Sequence, residues 1–109
     1  MKKKLPSAYR TFARENPRMI QAYEALSEAS LTGGPLDRQT AALVKLGIAV
    51  GARLESAVHA HVRRAVEAGC SPDAIRHAIR LAVTTVGFST MMTALSWADD
   101  VLASRPKRR

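Results

Sequence analysis

Apolar residues recur at helical spacing through most of the chain, and turn-forming residues divide them into separate segments. The first clear helix begins at Asn16 and Pro17, where asparagine predicts an N-cap and proline suits the first helical position. Its apolar positions continue at i, i+3 and i+4 to about Leu31. Two glycines and a proline within 32–35 then predict a loop.

The next segment, from Arg38 to about Gly51, is apolar on more than one side and is capped by Asp37. This pattern predicts the central and most buried helix of the fold. Gly47 lies inside it, at an intrinsic cost of about 1 kcal/mol relative to alanine. We expect the missing side chain to allow another helix to approach closely.

Three further helices follow from the same signals. The first covers about 54–68 and ends at Gly69, and Ser71 caps a second whose apolar stripe ends near Gly87. The last begins at about Ser89. Apolar residues make up 47% of the chain and aromatic residues only 5%, which favours closely packed aliphatic helices. The pattern predicts an all-α fold of five to six helices in antiparallel hairpins.

The length of 109 residues predicts one domain over 1–109, with basic tails at 1–5 and 104–109. Of the net charge of +8, all but +1 comes from seven tail residues: Lys2, Lys3, Lys4, Arg105, Lys107, Arg108 and Arg109. A nucleic-acid-binding domain usually carries its basic residues on a folded face. Nucleic-acid binding through the tails is therefore a weaker alternative, and it would show a steep salt dependence.

The basic N-terminus is not followed by the apolar stretch of a signal peptide, and no apolar run approaches the length of a membrane span. We therefore expect a cytoplasmic protein without membrane association. The single cysteine, Cys70, cannot form an intramolecular disulfide, which fits a reducing compartment.

From Leu36 to Leu95 the chain reads LDRQTAALVKLGIAVGARLESAVHAHVRRAVEAGCSPDAIRHAIRLAVTTVGFSTMMTAL. It resembles the carboxymuconolactone decarboxylase and alkylhydroperoxidase D family, whose usual pattern is LDRKTRELIALAVAVA, then C-x-x-C-x-x-x-H-x-x-x-A, then A-G-A-T-P-E-E-I. The family histidine is kept as His61, while three other functional positions of the peroxidase branch differ. The two cysteines fall on Leu54 and Ala57, and the upstream glutamate falls on Ala42.

A dithiol peroxidase needs one thiolate to attack the peroxide and a second thiol to resolve the sulfenic acid. Leu54 and Ala57 can do neither, and the methyl group of Ala42 cannot act as a general base. We therefore do not expect dithiol peroxidase activity. The resemblance implies a homo-oligomer, commonly a trimer or hexamer, with pockets near subunit contacts. It also implies that an enzyme of this kind would be a lyase that needs no cofactor.

Positions 54, 57 and 61 share one helical face, which places an imidazole beside an aliphatic surface. Such a wall favours the neutral form of His61, which could transfer a proton near neutral pH. Glu55 is the second candidate for catalysis. Arg53 and Arg64 are candidates for holding a small anionic substrate against Leu54 and Ala57. Packing in the core or at a subunit interface is the alternative role of His61.

The other residues that could carry chemistry do not form a site with His61. His59 points nearly opposite to His61, so these two histidines cannot share a metal ion within one chain. Since no set of histidine, cysteine and acidic residues has zinc spacing, the sequence predicts no metal site. Cys70 precedes the helix cap Ser71, where a helix N-terminus would lower its pKa and raise its reactivity.

The leading hypothesis is a small-molecule-binding protein that acts as a cofactor-free lyase or decarboxylase, with His61 in proton transfer. The main alternative is a non-catalytic oligomeric binding or scaffold protein, in which the family's active-site face serves packing. Residual peroxide reduction through Cys70 is a weaker alternative. It predicts turnover that disappears when Cys70 is replaced with serine.

Overall fold

The computed structural model describes residues 5–103, and every regular element in this part of the chain is helical. Six helices have nine residues or more, and one is a single turn. In chain order they are α1 (Ser7–Glu15), α2 (Pro17–Thr32), α3 (Arg38–Ala52), α4 (Glu55–Glu67), α5 (Pro72–Arg80), α6 (Val83–Val86) and α7 (Phe88–Leu102). The predicted all-α fold is confirmed. The predicted basic tails, apart from Leu5, lie outside the described residues.

The chain divides after Pro35 into two compact units, and the first contains α1 and α2. These helices pack against each other, and the Tyr9 hydroxyl donates a hydrogen bond to the Glu24 carboxylate. Neither described helix contains a fully buried residue. The sequence pattern did not predict α1. The single domain expected from the chain length remains a prediction.

Asn16 lies between the two helices of this first unit, at the end of α1 and at the start of α2. Its backbone N–H and its side-chain Nδ2 both donate to the Phe12 carbonyl oxygen, at 2.8 and 3.2 Å. Asn16 is the N-cap of α2 as predicted, and its carbonyl oxygen accepts a hydrogen bond from the Ile20 N–H at 3.0 Å, but its side chain forms no capping hydrogen bond. That side chain closes the end of α1, and Pro17 occupies the first turn of α2 as expected.

The second unit, from Leu36 onwards, contains the hydrophobic core. Helix α3 packs against α4, α5 and α7, and both α4 and α5 also pack against α7. The core is aliphatic, as the composition predicted, and its most completely buried large side chains are Leu46, Val50, Val58, Val62, Ile75 and Ile79. Burial of this apolar surface is the main favourable contribution to folding of the unit.

Helix α3 has two contrasting faces. Leu46 is completely buried, as expected of a central helix, but Ile48 is 66% exposed and Val44 is 47% exposed. Within the described chain no helix makes the close approach predicted at Gly47, because a Cβ atom placed there would meet no atom within 4 Å. Gly47 therefore lies on an open apolar surface, where no packing within the described chain compensates for its low helix propensity.

The turn between α4 and α5 follows the prediction closely. The N–H of Cys70 donates to the Ala65 carbonyl oxygen at 2.9 Å, and that of Gly69 donates to Val66 at 3.0 Å. These two bonds form a Schellman motif, with Gly69 at a φ of 96°. Ser71 then caps α5 by accepting a hydrogen bond from the Ala74 N–H at 3.0 Å.

The apolar stripe predicted to continue to Gly87 in one helix is interrupted. Helix α5 ends at Arg80, and a turn in which the Ala82 N–H donates to the Ile79 carbonyl oxygen leads into α6. Helix α6 consists of Val-Thr-Thr-Val, four β-branched residues whose restricted side chains lower helix propensity. Gly87 then adopts a φ of 94° before α7, where the sequence predicted a boundary.

Replacement of Gly69 with alanine should reduce the free energy of unfolding by at least about 1 kcal/mol, because a left-handed backbone disfavours a Cβ atom. The added atom would also lie 2.8 Å from Nε2 of Gln39 and would displace that side chain. Urea denaturation measures the change. Gly34→Ala is the matched control, since its Cβ would meet nothing within 4 Å. Equal stability of the two variants would contradict the prediction.

Candidate functional site

His61 lies on α4 at the edge of the hydrophobic core. The buried face of this helix consists of Val58, Val62 and Ala65, which hold α4 against its neighbours. His61 is adjacent to this face and is half-buried. The imidazole is therefore partly withdrawn from water but is not enclosed in the core, which is a position from which it can contact a small molecule.

Burial lowers the pKa of His61, and the positive charges of Lys45 and Arg64 lower it further. Both effects act in the same direction, because each disfavours an additional positive charge on the imidazole. Lys45 extends from α3, while Arg64 follows His61 by three residues on α4 and so lies on the same side of that helix. The arrangement combines a neutral imidazole with two cations, which suits an anionic ligand.

Lys45 was missed in the sequence-based choice of site residues. It is the one lysine within residues 5–103, and it is a half-buried charge in an otherwise apolar stretch of α3. That isolated charge is the feature of the sequence that could have identified Lys45 as a site residue. Its proximity to His61, sixteen positions further along the chain, depends on how α3 packs against α4 and could not be read from helical spacing.

The two residues of the predicted aliphatic surface, Leu54 and Ala57, lie in different environments. Ala57 is half-buried and packs against the core, whereas Leu54 precedes α4 and its side chain is 56% exposed. The position that corresponds to the family's first cysteine is therefore on the surface. Ala42, which stands where the peroxidase branch has its glutamate, is only 3% exposed and belongs to the core.

The two arginines predicted to bind substrate are in different environments. Arg64 is half-buried and acts electrostatically on His61. Arg53 is exposed at the end of α3, with a left-handed φ of 60° that favours glycine over other residues. Its N–H donates to the Val50 carbonyl oxygen at 3.0 Å, so the backbone of Arg53 closes α3.

Glu55 lies beside His59. The Glu55 Oε2 atom is 3.8 Å from Nε2 of His59, and Oδ2 of Asp100 on α7 is 3.0 Å from the same nitrogen. The neighbouring Asp99 instead forms an ion pair with Arg76 of α5, at 3.0 Å. Two adjacent aspartates therefore connect α7 to α4 and to α5.

The sequence predicted no metal site because no suitable spacing was present, but that argument considered neighbours along the chain only. The structure brings Glu55, His59 and Asp100 together, with one potential ligand atom from each lying within 4.8 Å of the others. Asp100 was missed because it follows His59 by 41 positions and reaches it only through the packing of α4 against α7.

Cys70 is buried, and its thiol donates a hydrogen bond to the Gln39 carbonyl oxygen at 3.7 Å. Burial raises the pKa of Cys70, and the negative charge of Asp37 raises it further. The predicted lowering of this pKa by the N-terminus of α5 is wrong, because desolvation of the thiolate outweighs it. A protonated, buried thiol is a poor nucleophile, which argues against Cys70-dependent peroxide reduction.

Two comparisons with known proteins identify the fold and the family. Residues 17–100 match the model of the carboxymuconolactone decarboxylase family. A crystal structure of an apo carboxymuconolactone decarboxylase family protein from Legionella pneumophila superposes with a TM-score of 0.71 and 18% identity. That alignment covers 89% of this chain and 86% of the other, and at this identity it shows similarity of fold.

An uncharacterized protein from Haemophilus influenzae is 42% identical over 52 residues. The match covers 48% of this chain and 46% of that protein, so it spans about half the length of each. Among the described residues, no helix is both long and apolar enough to span a membrane.

Proposed function

The chain belongs to the carboxymuconolactone decarboxylase family, and from this we propose that it binds a small carboxylate-bearing molecule beside His61 and acts on it as a cofactor-free lyase. The observation that carries the proposal is the half-buried imidazole of His61. The positive charges of Lys45 and Arg64 both lower the pKa of this imidazole. Two cations can hold the carboxylate of a small acid, and an imidazole can supply the proton that replaces the lost carboxyl group in a decarboxylation.

Binding would begin with the substrate carboxylate. Lys45 and Arg64 are both half-buried, so an anion between them would exchange hydration for charge-assisted hydrogen bonds. The guanidinium of Arg64 can hold both oxygens of a carboxylate, and the ammonium of Lys45 acts as a point charge. This gives Arg64 the orienting role and Lys45 a supporting role.

The chemical step would require one proton. Cleavage of the carbon–carbon bond releases CO₂ and leaves its electron pair on the remaining carbon framework, where a proton must replace the lost carboxyl group. His61 would first take up a proton from the solvent beside the bound anion and then deliver it to that carbon, which returns His61 to the neutral imidazole that its surroundings favour. No electron leaves or enters the substrate, so the step needs no redox group.

The family's thiol chemistry is not part of this proposal. Leu54 and Ala57 supply no sulfur, and buried Ala42 supplies no base. A lyase role fits the residues that remain better than a peroxidase role, because proton transfer to a bound acid uses an imidazole and cations alone.

We also propose that the chain assembles with copies of itself, as a trimer or hexamer. The support is the apolar face of α3, where Val44 and Ile48 are exposed beside the open positions Gly47 and Gly51. Exposed Leu54 lies shortly after it in sequence. Grouped apolar exposure of this kind is typical of interaction surfaces. It also favours the second candidate function, a non-catalytic oligomeric binding or scaffold protein.

Carboxymuconolactone, the compound in the family's name, is the probe for this site. Replacement of Arg64 with glutamine should weaken its binding about tenfold, the loss expected for one charge-assisted hydrogen bond. Arg63→Gln is the matched control, because Arg63 is also half-buried on α4, whereas the charges that lower the pKa of His61 are those of Lys45 and Arg64. Isothermal titration calorimetry measures the affinities, and CO₂ release by the unaltered protein tests the reaction. Binding without CO₂ release would favour the non-catalytic alternative, and equal affinities of both variants would contradict the assigned anion site.

A further inference from the structure

We infer that Glu55, His59 and Asp100 form a binding site for a first-row divalent metal ion, which we call the α4–α7 cluster. Glu55 and His59 lie four residues apart on α4, and Asp100 comes from α7. One potential ligand atom from each residue lies within 4.8 Å of the other two. This inference does not depend on the function proposed for His61.

One of the distances matches an edge of a metal coordination polyhedron, and a second is longer than an edge by less than 1 Å. Metal–ligand bonds of about 2.0–2.2 Å place neighbouring ligand atoms roughly 3.0 Å apart in an octahedron and roughly 3.4 Å apart in a tetrahedron. Nε2 of His59 is 3.0 Å from Oδ2 of Asp100 and 3.8 Å from Oε2 of Glu55. Small side-chain rotations would bring all three atoms to bonding distance of one ion.

A hydrogen bond explains only part of the arrangement. The contact between His59 and Asp100 has the length of a normal hydrogen bond, but the 3.8 Å separation from Glu55 is too long for one. Two carboxylates therefore converge on one imidazole nitrogen, and their negative charges repel each other. A divalent cation between them would neutralise both charges and bond to all three residues.

The ligand chemistry identifies the class of ion. One imidazole and two carboxylates suit zinc, manganese or cobalt, whereas calcium and magnesium prefer oxygen ligands alone. His59 is 26% exposed and both carboxylate side chains are 56% exposed, so water could complete the coordination. Such an ion would join α4 to α7, two helices that already pack against each other.

Zinc binding to the full chain, prepared without a histidine tag, tests the inference by isothermal titration calorimetry. Glu55→Gln is the decisive variant, because it removes one ligand and leaves the hydrogen bond between His59 and Asp100 in place. We expect it to weaken zinc binding by at least about tenfold, since even loss of an outer partner costs 10- to 100-fold. Asp100→Asn should have at least the same effect.

Two controls separate the cluster from other metal-binding groups. Asp99→Asn removes a neighbouring carboxylate that pairs with Arg76, and His77→Gln removes an exposed imidazole on α5. Both variants should bind zinc as the unaltered protein does. Circular dichroism confirms that each variant is folded, and ¹H–¹⁵N spectra should show that zinc shifts the Nε2 resonance of His59 and leaves that of His77 unchanged.

Three results would overturn the inference. They are the absence of zinc binding by the unaltered protein, affinity unchanged in Glu55→Gln, and equal weakening in Asp99→Asn or His77→Gln. In each case the α4–α7 cluster would be an ion pair between two helices and no more. If zinc binds as expected but carboxymuconolactone does not, the metal site stands and the proposed function fails.

Discussion

Replacement of His61 with glutamine should lower the rate of CO₂ release from carboxymuconolactone by about 10²- to 10⁴-fold, the usual contribution of a positioned acid or base. Glutamine keeps a polar side chain of similar reach but cannot exchange a proton near neutral pH. Lys45 and Arg64 would remain to bind the carboxylate, so the Michaelis constant should change much less than the turnover number.

His77→Gln is the matched control for this experiment, because it makes the same chemical change at an exposed position on α5. Steady-state assays of both variants distinguish a catalytic effect at His61 from a loss of folded protein that any histidine-to-glutamine change could cause. If His61→Gln retains the full rate, proton transfer by His61 is wrong. Unchanged binding together with the absence of turnover in the unaltered protein would leave the non-catalytic binding protein as the better description.

Replacement of Leu46 with alanine should reduce the free energy of unfolding by about 2–5 kcal/mol, since it removes a buried side chain and leaves a cavity. Leu46 is completely buried, whereas Ile48, on the same helix, is 66% exposed. In a dilute, monomeric sample Ile48→Ala should therefore change stability by no more than about 0.5 kcal/mol. Urea denaturation of the two variants measures both effects.

The Ile48→Ala variant also tests the proposed self-assembly. If copies of the chain cover the apolar face of α3, Ile48→Ala should shift the assembly toward smaller species in analytical ultracentrifugation. The stability of the unaltered protein should also rise with its concentration. A protomer that stays monomeric at high concentration, with or without Ile48, would contradict the proposed oligomer.

Local chemistry explains which parts of the fold could be predicted from the sequence. Asp37 caps α3 by accepting a hydrogen bond from the Thr40 N–H at 2.7 Å, which also holds the pKa of its carboxyl below the usual range. Ser71 and Gly69 mark the start of α5 and the end of α4, because each satisfies backbone groups within a few residues of itself.

Features that depend on contacts between distant residues could not be predicted in the same way. Arg64 was chosen from the sequence as a substrate-binding candidate on the same helix as His61, but Lys45 and Asp100 reach their partners from other helices. The close approach predicted at Gly47 is absent within the described chain for a related reason. An apolar helix surface looks the same in sequence whether another helix covers it or, as on this face of α3, it remains exposed.

The burial of Ala42 limits how the family's redox chemistry could be engineered into this chain. Cysteines at positions 54 and 57 would lie at the start of α4, where a helix N-terminus favours a thiolate. The third residue of that machinery is the obstacle, because a glutamate replacing Ala42 would enter the aliphatic core beside residues such as Leu46. Such a carboxylate would be uncharged or would disrupt the packing. Conversion to a peroxidase would therefore require a redesigned core as well as two thiols.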